Sequence, residues 1–149
     1  MTVHGGRGLA GLVGTHLGWT PWREVTQDQV DRFADATDDH QWIHVDAERA
    51  AEGPFGGTVA HGYLTLSLGP ALLSNLLVVE GVPMALNYGA NRVRFPAPVP
   101  VGRRLRMGAL LVGLDHFEGG AQATLQLTFE VEGAAKPSCV AEVVYRFYG

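Results

Sequence analysis

The stretch Gly53-Pro54-Phe55-Gly56-Gly57-Thr58-Val59-Ala60-His61-Gly62, followed by an apolar run to Leu77, decides the fold predicted for this chain. From Val59 to Leu77 the residues are apolar on nearly every side of a helix, and such a helix must be buried. Pro70 removes one backbone hydrogen bond inside this run, which predicts a kink. We therefore expect one long central helix that begins after a glycine-rich loop.

Beyond Val82 the hydrophobic period changes from that of a helix to that of a strand. Residues 121–131 and 139–147 alternate between apolar and polar side chains, which indicates strands with one buried face, and residues 105–111 repeat the pattern. In the segment 84–95 the apolar residues change phase, which predicts a bulge at residues 89–91. Because these four strands need a partner, the sequence predicts a single α+β domain over residues 1–149, with an antiparallel sheet wrapped around the central helix.

The first half of the chain carries clear helix boundaries. Residues 1–18 contain six glycines and few large apolar side chains, so we expect a loosely held arm. The run Thr26-Gln27-Asp28-Gln29 has capping-box spacing and predicts a helix that ends near Ala36. Residues 39–44 are then assigned to a loop, and Asp46 is expected to cap a short helix that extends to Glu52.

Composition excludes several classes of function. The formal net charge of −4 argues against a nucleic-acid-binding protein, which needs a basic face. A single cysteine, Cys139, allows no intramolecular disulfide and favours a reducing compartment. No apolar run approaches the roughly 18 residues of a membrane span, so we expect a cytoplasmic protein.

Five arginines fall within fifteen residues: Arg92, Arg94, Arg103, Arg104 and Arg106. Such a cluster suits a phosphorylated small molecule or an acidic carrier protein. A solvated strand face with scattered ion pairs is the simpler explanation, because surface charges usually contribute little to binding or stability.

The run Asp39-His40-Gln41-Trp42-Ile43-His44 supplies the candidate chemistry. A neutral His44 can deprotonate a water molecule that an ionised Asp39 orients, and the Gly62 backbone N–H can stabilise a developing oxyanion. These are the groups needed to add water beside a carbonyl. The spacing alone is weak, because an Asp and a His at this separation often form only a local hydrogen bond.

Other interpretations of these residues stay open. His40 and His44 have the spacing of a metal pair, with His61 as a third ligand, although no cysteine is nearby. His61 otherwise packs against the start of the helix or hydrogen-bonds a carbonyl. Trp42 is either a core or pocket wall or a contact for an acyl chain.

Residues 33–46 and 53–66 together resemble the MaoC-like (R)-specific enoyl-CoA hydratases, and the resemblance continues into residues 87–99 and 136–142. The short, single-domain, nodulation-protein-N-like members are the most similar. One departure is Asp38, because the family commonly has glycine between the Ser or Thr and the catalytic Asp.

This resemblance implies a hot-dog fold, a homodimer with the active site near the interface, and no metal or dissociable cofactor. It places the catalytic roles on Asp39, His44 and the Gly62 backbone, and it implies an acyl group carried by coenzyme A or by an acyl carrier protein. The residues predicted to bind the substrate are Trp42, Phe55, Gly57, His61, Asn91 and Arg94.

The resemblance therefore predicts reversible hydration of a 2-enoyl thioester to an (R)-3-hydroxyacyl thioester. A hot-dog thioesterase is disfavoured, since in many of those the working carboxylate lies on the central helix and residues 59–77 contain no Asp or Glu. A non-catalytic acyl-thioester binder would not need both Asp39 and His44. A tailoring dehydratase or isomerase of a natural-product pathway would use the same pair.

Overall fold

A computed structural model describes all residues, 1–149. The six helices are α1 (Gly5–Ala10), α2 (Gln27–Thr37), α3 (Trp42–Val45), α4 (Ala47–Ala51), α5 (Gly62–Ser67) and α6 (Gly69–Leu73). The eight strands are β1 (Thr2–His4), β2 (His16–Trp19), β3 (Arg23–Glu24), β4 (Val78–Glu80), β5 (Met84–Arg94), β6 (Arg104–Phe117), β7 (Gly120–Val131) and β8 (Cys139–Tyr148).

Six strands form one antiparallel sheet in the order β2-β6-β7-β8-β5, with β3 also paired to β6. Alternate residues of β7, from Ala121 to Val131, are buried, and Leu105 to Leu111 of β6 repeat the pattern. The predicted strands are confirmed. The register of β5 against β8 shifts twice between Asn87 and Arg92, which confirms the predicted bulge.

The central helix is where the prediction needs correction. Residues 59–77 do not form one long helix, because α5 starts only at Gly62 and one turn residue, Leu68, with φ −72° and ψ −16°, separates it from α6. Pro70 lies in the first turn of α6 and has no N–H to donate to the preceding turn, which accounts for the break. Val59 instead forms an isolated bridge with Pro100, so the backbone before α5 is extended.

The sheet and the two central helices share one core of 26 buried apolar residues. Leu64, Leu68 and Leu72 face the sheet, while Tyr63 and Ser67 stay exposed on the opposite side of α5. This is the α+β arrangement of a sheet around a central helix that the sequence predicts. None of the helices is long and apolar enough to cross a membrane.

The N-terminal arm is not loosely held, contrary to the prediction. β1 pairs in parallel with β4, and β2 pairs with β6. Leu9 of α1 is completely buried in the main core. The arm is held because a few apolar side chains dock it despite its high glycine content.

Candidate active site

The end of helix α2 positions the first candidate residue, Asp39. As predicted from the capping-box spacing, the Thr26 hydroxyl caps this helix by accepting a hydrogen bond from the Gln29 N–H at 3.2 Å. The helix ends at Thr37, and Asp38 then adopts a left-handed conformation with φ 57° and ψ 22°. This turn of the backbone places Asp39 in a short loop with its side chain half-exposed.

His44 does not lie on a loop, contrary to the prediction. It belongs to the single-turn helix α3, in which the His44 N–H bonds the Gln41 carbonyl at 2.9 Å and the Asp46 N–H bonds the Trp42 carbonyl at 3.0 Å. Asp46 then caps α4 by accepting from the Arg49 N–H at 3.1 Å, as predicted. A four-residue helix is too short to produce a recognisable hydrophobic period, which explains the error.

The imidazole of His44 is held in one orientation. Its Nδ1 lies 2.6 Å from the Val59 carbonyl oxygen, and the side chain is buried, with only 7% of the residue exposed. Because a carbonyl oxygen only accepts, Nδ1 carries the proton, and Nε2 of the neutral ring keeps a free lone pair. His44 Nε2 can therefore act as a base.

Three of the candidate side chains converge. One carboxylate oxygen of Asp39 and one ring nitrogen each of His44 and His61 all lie within 4.8 Å of one another. Such a set has the donor types of a metal site, and the carbonyls of Val59 and Asp39 engage His44 Nδ1 and His61 Nε2, which leaves one nitrogen on each ring without a hydrogen bond. The separation allows a single water molecule to contact both Asp39 and His44.

His40 points away from this group. Its Nε2 lies 2.8 Å from Asp35 Oδ1 at the protein surface. The hydrogen bond with Asp35 raises the pKa of His40, partial desolvation opposes the rise, and the charges of Asp35 and Asp38 add to it. The metal alternative based on His40, His44 and His61 therefore lacks its first ligand.

Gly62 is the first residue of α5 and opens onto a cleft of about 320 Å³. Phe55 and Phe95 line this cleft, so it presents apolar surface beside the backbone of the helix start. The first N–H groups of a helix have no partner within the helix, which leaves the Gly62 N–H available. Gly57 follows Phe55 closely in the sequence but does not line the cleft.

The remaining predicted substrate-binding residues lie elsewhere. The Trp42 ring lies under the Arg49 guanidinium, 4.4 Å from its carbon, and against Gly53. Asn91 donates to Glu142 Oε1 at 2.7 Å on the outer side of the sheet. Arg94 faces a separate groove that it shares with Arg92. The structure does not bring these three residues to the Asp39 carboxylate.

Two members of the arginine cluster, Arg104 and Arg106, form ion pairs with nearby glutamates. Arg104 pairs with Glu132, and Arg106 pairs with Glu130 at 2.8 Å. Arg106 also lies between two indoles, with its guanidinium 4.4 Å from the Trp19 ring and 4.6 Å from the Trp22 ring. These two arginines form ion pairs on a strand face, which is the simpler of the two explanations.

Sequence reasoning missed two residues that support the site. Gln27 Nε2 donates to the His44 carbonyl at 2.7 Å, and its Oε1 accepts from the Thr58 hydroxyl at 2.6 Å. Gln27 thus links α2 to α3 and to the glycine-rich loop. Its position in the capping sequence is the only local signal, and that signal concerns the helix rather than the site.

Comparison with known proteins agrees with this arrangement. The family described as "MaoC like domain" matches residues 9–132, which is most of the chain. The chain belongs to the MaoC-like domain family. The family resemblance and the predicted hot-dog fold are thereby confirmed.

Two relatives are similar over most of their length. The 3-hydroxyacyl-thioester dehydratase Z of Mycobacterium tuberculosis is 56% identical over 140 residues, 93% of each chain. Nodulation protein N of Rhizobium leguminosarum bv. viciae is 46% identical over 133 residues, 87% of this chain and 82% of the relative. Among solved structures, the (R)-hydratase from A. caviae involved in PHA biosynthesis has a TM-score of 0.74 and 25% identity, covering 89% of this chain and 94% of that one.

Proposed function

We propose that this MaoC-like protein adds water reversibly to the double bond of a 2-enoyl thioester and forms an (R)-3-hydroxyacyl thioester. The observation that carries the proposal is that a carboxylate oxygen of Asp39 and a ring nitrogen of His44 lie within 4.8 Å of each other. Both residues precede Gly62 in the chain. The mycobacterial relative bears the name of a thioester dehydratase and the A. caviae structure that of an (R)-hydratase, which supports both the reaction and its stereochemistry.

His44 and Asp39 act on one water molecule in this proposal. The Asp39 carboxylate accepts one hydrogen bond from the water and orients it, while His44 Nε2 takes the other proton as the water oxygen bonds to the β-carbon. The electron pair of the alkene moves to the α-carbon and the thioester oxygen. The imidazolium of His44 then returns this proton to the α-carbon from the same side, which restores the neutral ring and completes the addition without loss or gain of atoms.

The Gly62 N–H is proposed to stabilise the enolate-like oxygen of the intermediate. The thioester carbonyl would lie in the cleft between Phe55 and Phe95, with its oxygen toward the backbone of α5. A donor that meets the oxygen where negative charge develops lowers the barrier, and loss of such a donor costs about 2.7–4 kcal/mol.

The acyl group is proposed to be carried by coenzyme A. Arg92 and Arg94 share a groove of about 480 Å³ with Glu142, whose carboxylate accepts from Asn91 and lies beyond ion-pair distance of either guanidinium. Arg94 donates one bond to the Val93 carbonyl at 2.7 Å, and the remaining donors of the two arginines suit phosphate groups. Pro96 borders both this groove and the cleft at Gly62, so one extended ligand can contact both places.

We also propose a homodimer. β5 pairs only with β8, so its other edge presents unpaired backbone groups along eleven residues. Met84, Leu86 and Tyr88 are exposed on this strand, and Tyr63 is exposed on the neighbouring helix face. Exposed apolar residues along a free edge favour pairing with a second copy. Size-exclusion chromatography with light scattering tests this: a mass of one chain would contradict it.

The reaction is tested by incubating the protein with crotonyl-CoA and longer 2-enoyl-CoA thioesters and following the loss of enoyl-thioester absorbance. We expect His44→Ala and Asp39→Asn each to lower kcat by at least about 10²-fold with the fold retained, since acid–base groups contribute on that scale. The matched controls are His116→Ala and Asp115→Asn, which change exposed residues on β6. Undiminished kcat in either dyad variant would remove that residue from the mechanism, and chiral analysis of the product tests the R configuration.

A further inference from the structure

His61 has an unusual environment for a histidine. Only 1% of its surface is exposed, and it occupies the position directly before α5. Its ring is stacked on His44, with centroids 3.8 Å apart, and packs against Phe33, with centroids 4.9 Å apart. Because aromatic rings contact it on two sides, the His61 ring has a fixed orientation.

The ring makes one hydrogen bond. His61 Nε2 lies 2.9 Å from the main-chain carbonyl oxygen of Asp39, so Nε2 carries the proton and donates it. Its Nδ1 is buried and has no hydrogen-bond partner. An unsatisfied buried polar atom is unfavourable, so an apolar residue of similar size would suit packing better. The histidine therefore has a reason other than filling the core.

The hydrogen bond reaches the short segment that carries the Asp39 carboxylate. Asp39 lies between α2 and α3, and its side chain accepts only one weak hydrogen bond, from the Gln41 N–H at 3.4 Å. His61 reaches the same residue from the opposite end of the site, 22 positions along the sequence. Its Nε2 is also 4.0 Å from the Asp39 carboxylate, too far for a second hydrogen bond. The bond to the main chain is thus the contact that ties Asp39 to the element bearing Gly62.

We infer that His61 is a positioning residue, whose Nε2–H holds the Asp39 main chain so that the carboxylate and His44 reach the same water molecule. This inference rests on the proposed roles of Asp39 and His44. His61 stacks on the ring of His44, bonds the main chain of Asp39 and acts through both residues. Since a displacement near 1 Å at a catalytic group lowers rates by about 10²-fold, the bond has a measurable effect on turnover.

The experiment compares His61→Leu with His61→Gln. Leucine fills space without a donor, whereas the glutamine amide nitrogen takes a position close to that of Nε2. With 2-enoyl-CoA as substrate we expect His61→Leu to lower kcat by about 10²-fold with KM little changed, and His61→Gln to recover at least about tenfold of that loss. A wild-type kcat in His61→Leu overturns the inference. So does a raised KM with unchanged kcat, which would make His61 a substrate contact.

A second readout separates this inference from the proposed reaction. Hydrogen exchange at the amides of residues 38–42 should be faster in His61→Leu than in wild type and close to wild type in His61→Gln. Equal exchange in all three proteins overturns the positioning role, whatever the activity. If His44→Ala and Asp39→Asn keep full kcat, the proposed reaction mechanism fails, while the exchange data still decide whether His61 holds Asp39.

Discussion

Gly62 lies against the face of Phe95, so closely that a Cβ on Gly62 would be 3.1 Å from three of the ring carbons. The contact, rather than a left-handed backbone, is what favours glycine here, because Gly62 is not among the residues with positive φ. Phe95 therefore covers the start of α5 and forms one wall of the cleft beside the Gly62 N–H.

We expect Gly62→Ala to lower kcat about tenfold, because the added methyl displaces Phe95 or the helix start by a few tenths of an ångström. Phe95→Leu should recover part of the loss in the double variant, since leucine leaves room for the methyl. Gly113→Ala is the control, as a Cβ there meets open space. Steady-state kinetics on 2-enoyl-CoA checks this, and an unchanged kcat in Gly62→Ala would show that the contact tolerates the methyl.

Gln27 should contribute to stability through its two long-range bonds. Gln27→Leu leaves the His44 carbonyl and the Thr58 hydroxyl without their partner, and we expect it to lower the free energy of unfolding by about 1–3 kcal/mol. Gln29→Leu, on the same helix, should have a smaller effect, because its side chain makes no such bonds. Urea denaturation measures both, and equal midpoints would contradict the structural role of Gln27.

The left-handed conformation of Asp38 predicts a ranking of substitutions. Asp38→Gly should be more stable than Asp38→Ala by about 1 kcal/mol, because a Cβ is unfavourable at a φ of 57°. Asp38→Asn should stay close to wild type, since asparagine also tolerates this conformation. Urea midpoints give the ranking. Equal stability of the Gly and Ala variants would mean that the backbone rearranges at this position.

The ion pair of His40 should be visible in its titration. Asp35 and Asp38 raise the pKa of His40 above its usual value of 6.5, so the pair stabilises the folded state below pH 6.5. This contribution is lost as the pH rises through the folded pKa. We expect Asp35→Asn to lower the NMR titration midpoint of His40, with Asp115→Asn as the control. A midpoint that does not move would show that the hydrogen bond does not persist in solution.

The single cysteine should be unreactive in the folded protein. Burial raises the pKa of the Cys139 thiol to about 11, so at pH 8 almost no thiolate is present, and the side chain is inaccessible. A thiol reagent such as DTNB should react slowly with native protein and rapidly in denaturant. Fast reaction of the native protein would indicate local opening of β8.

Patterns within a few residues predicted much of this fold. The alternation in residues 121–131 is unambiguous because β7 has one face toward the core and one toward solvent. The Thr26 cap joins residues only three positions apart, so its spacing can be recognised in the sequence. Pro70 predicts a kink in one helix, whereas the structure has two separate helices, α5 and α6, at this place.

Contacts between distant residues could not be predicted in this way. The parallel pairing of β1 with β4 joins segments more than seventy positions apart, and it converts the expected loose arm into part of the structure. Within the site, the motif identified Asp39, His44 and Gly62 as candidates. The bonds of Gln27 to His44 and Thr58 span 17 and 31 positions, and no local pattern encodes them.

The stacking of arginines on indoles has a consequence for spectroscopy. All three tryptophans of the chain lie under guanidinium groups, Trp19 and Trp22 under Arg106 and Trp42 under Arg49. None belongs to the buried core around α5 and α6. Intrinsic fluorescence therefore reports on the periphery of the molecule, where β2, β3 and α3 attach. If the change in tryptophan emission coincides with the loss of circular dichroism during unfolding, these peripheral elements detach together with the core. If the emission changes first, they detach before it.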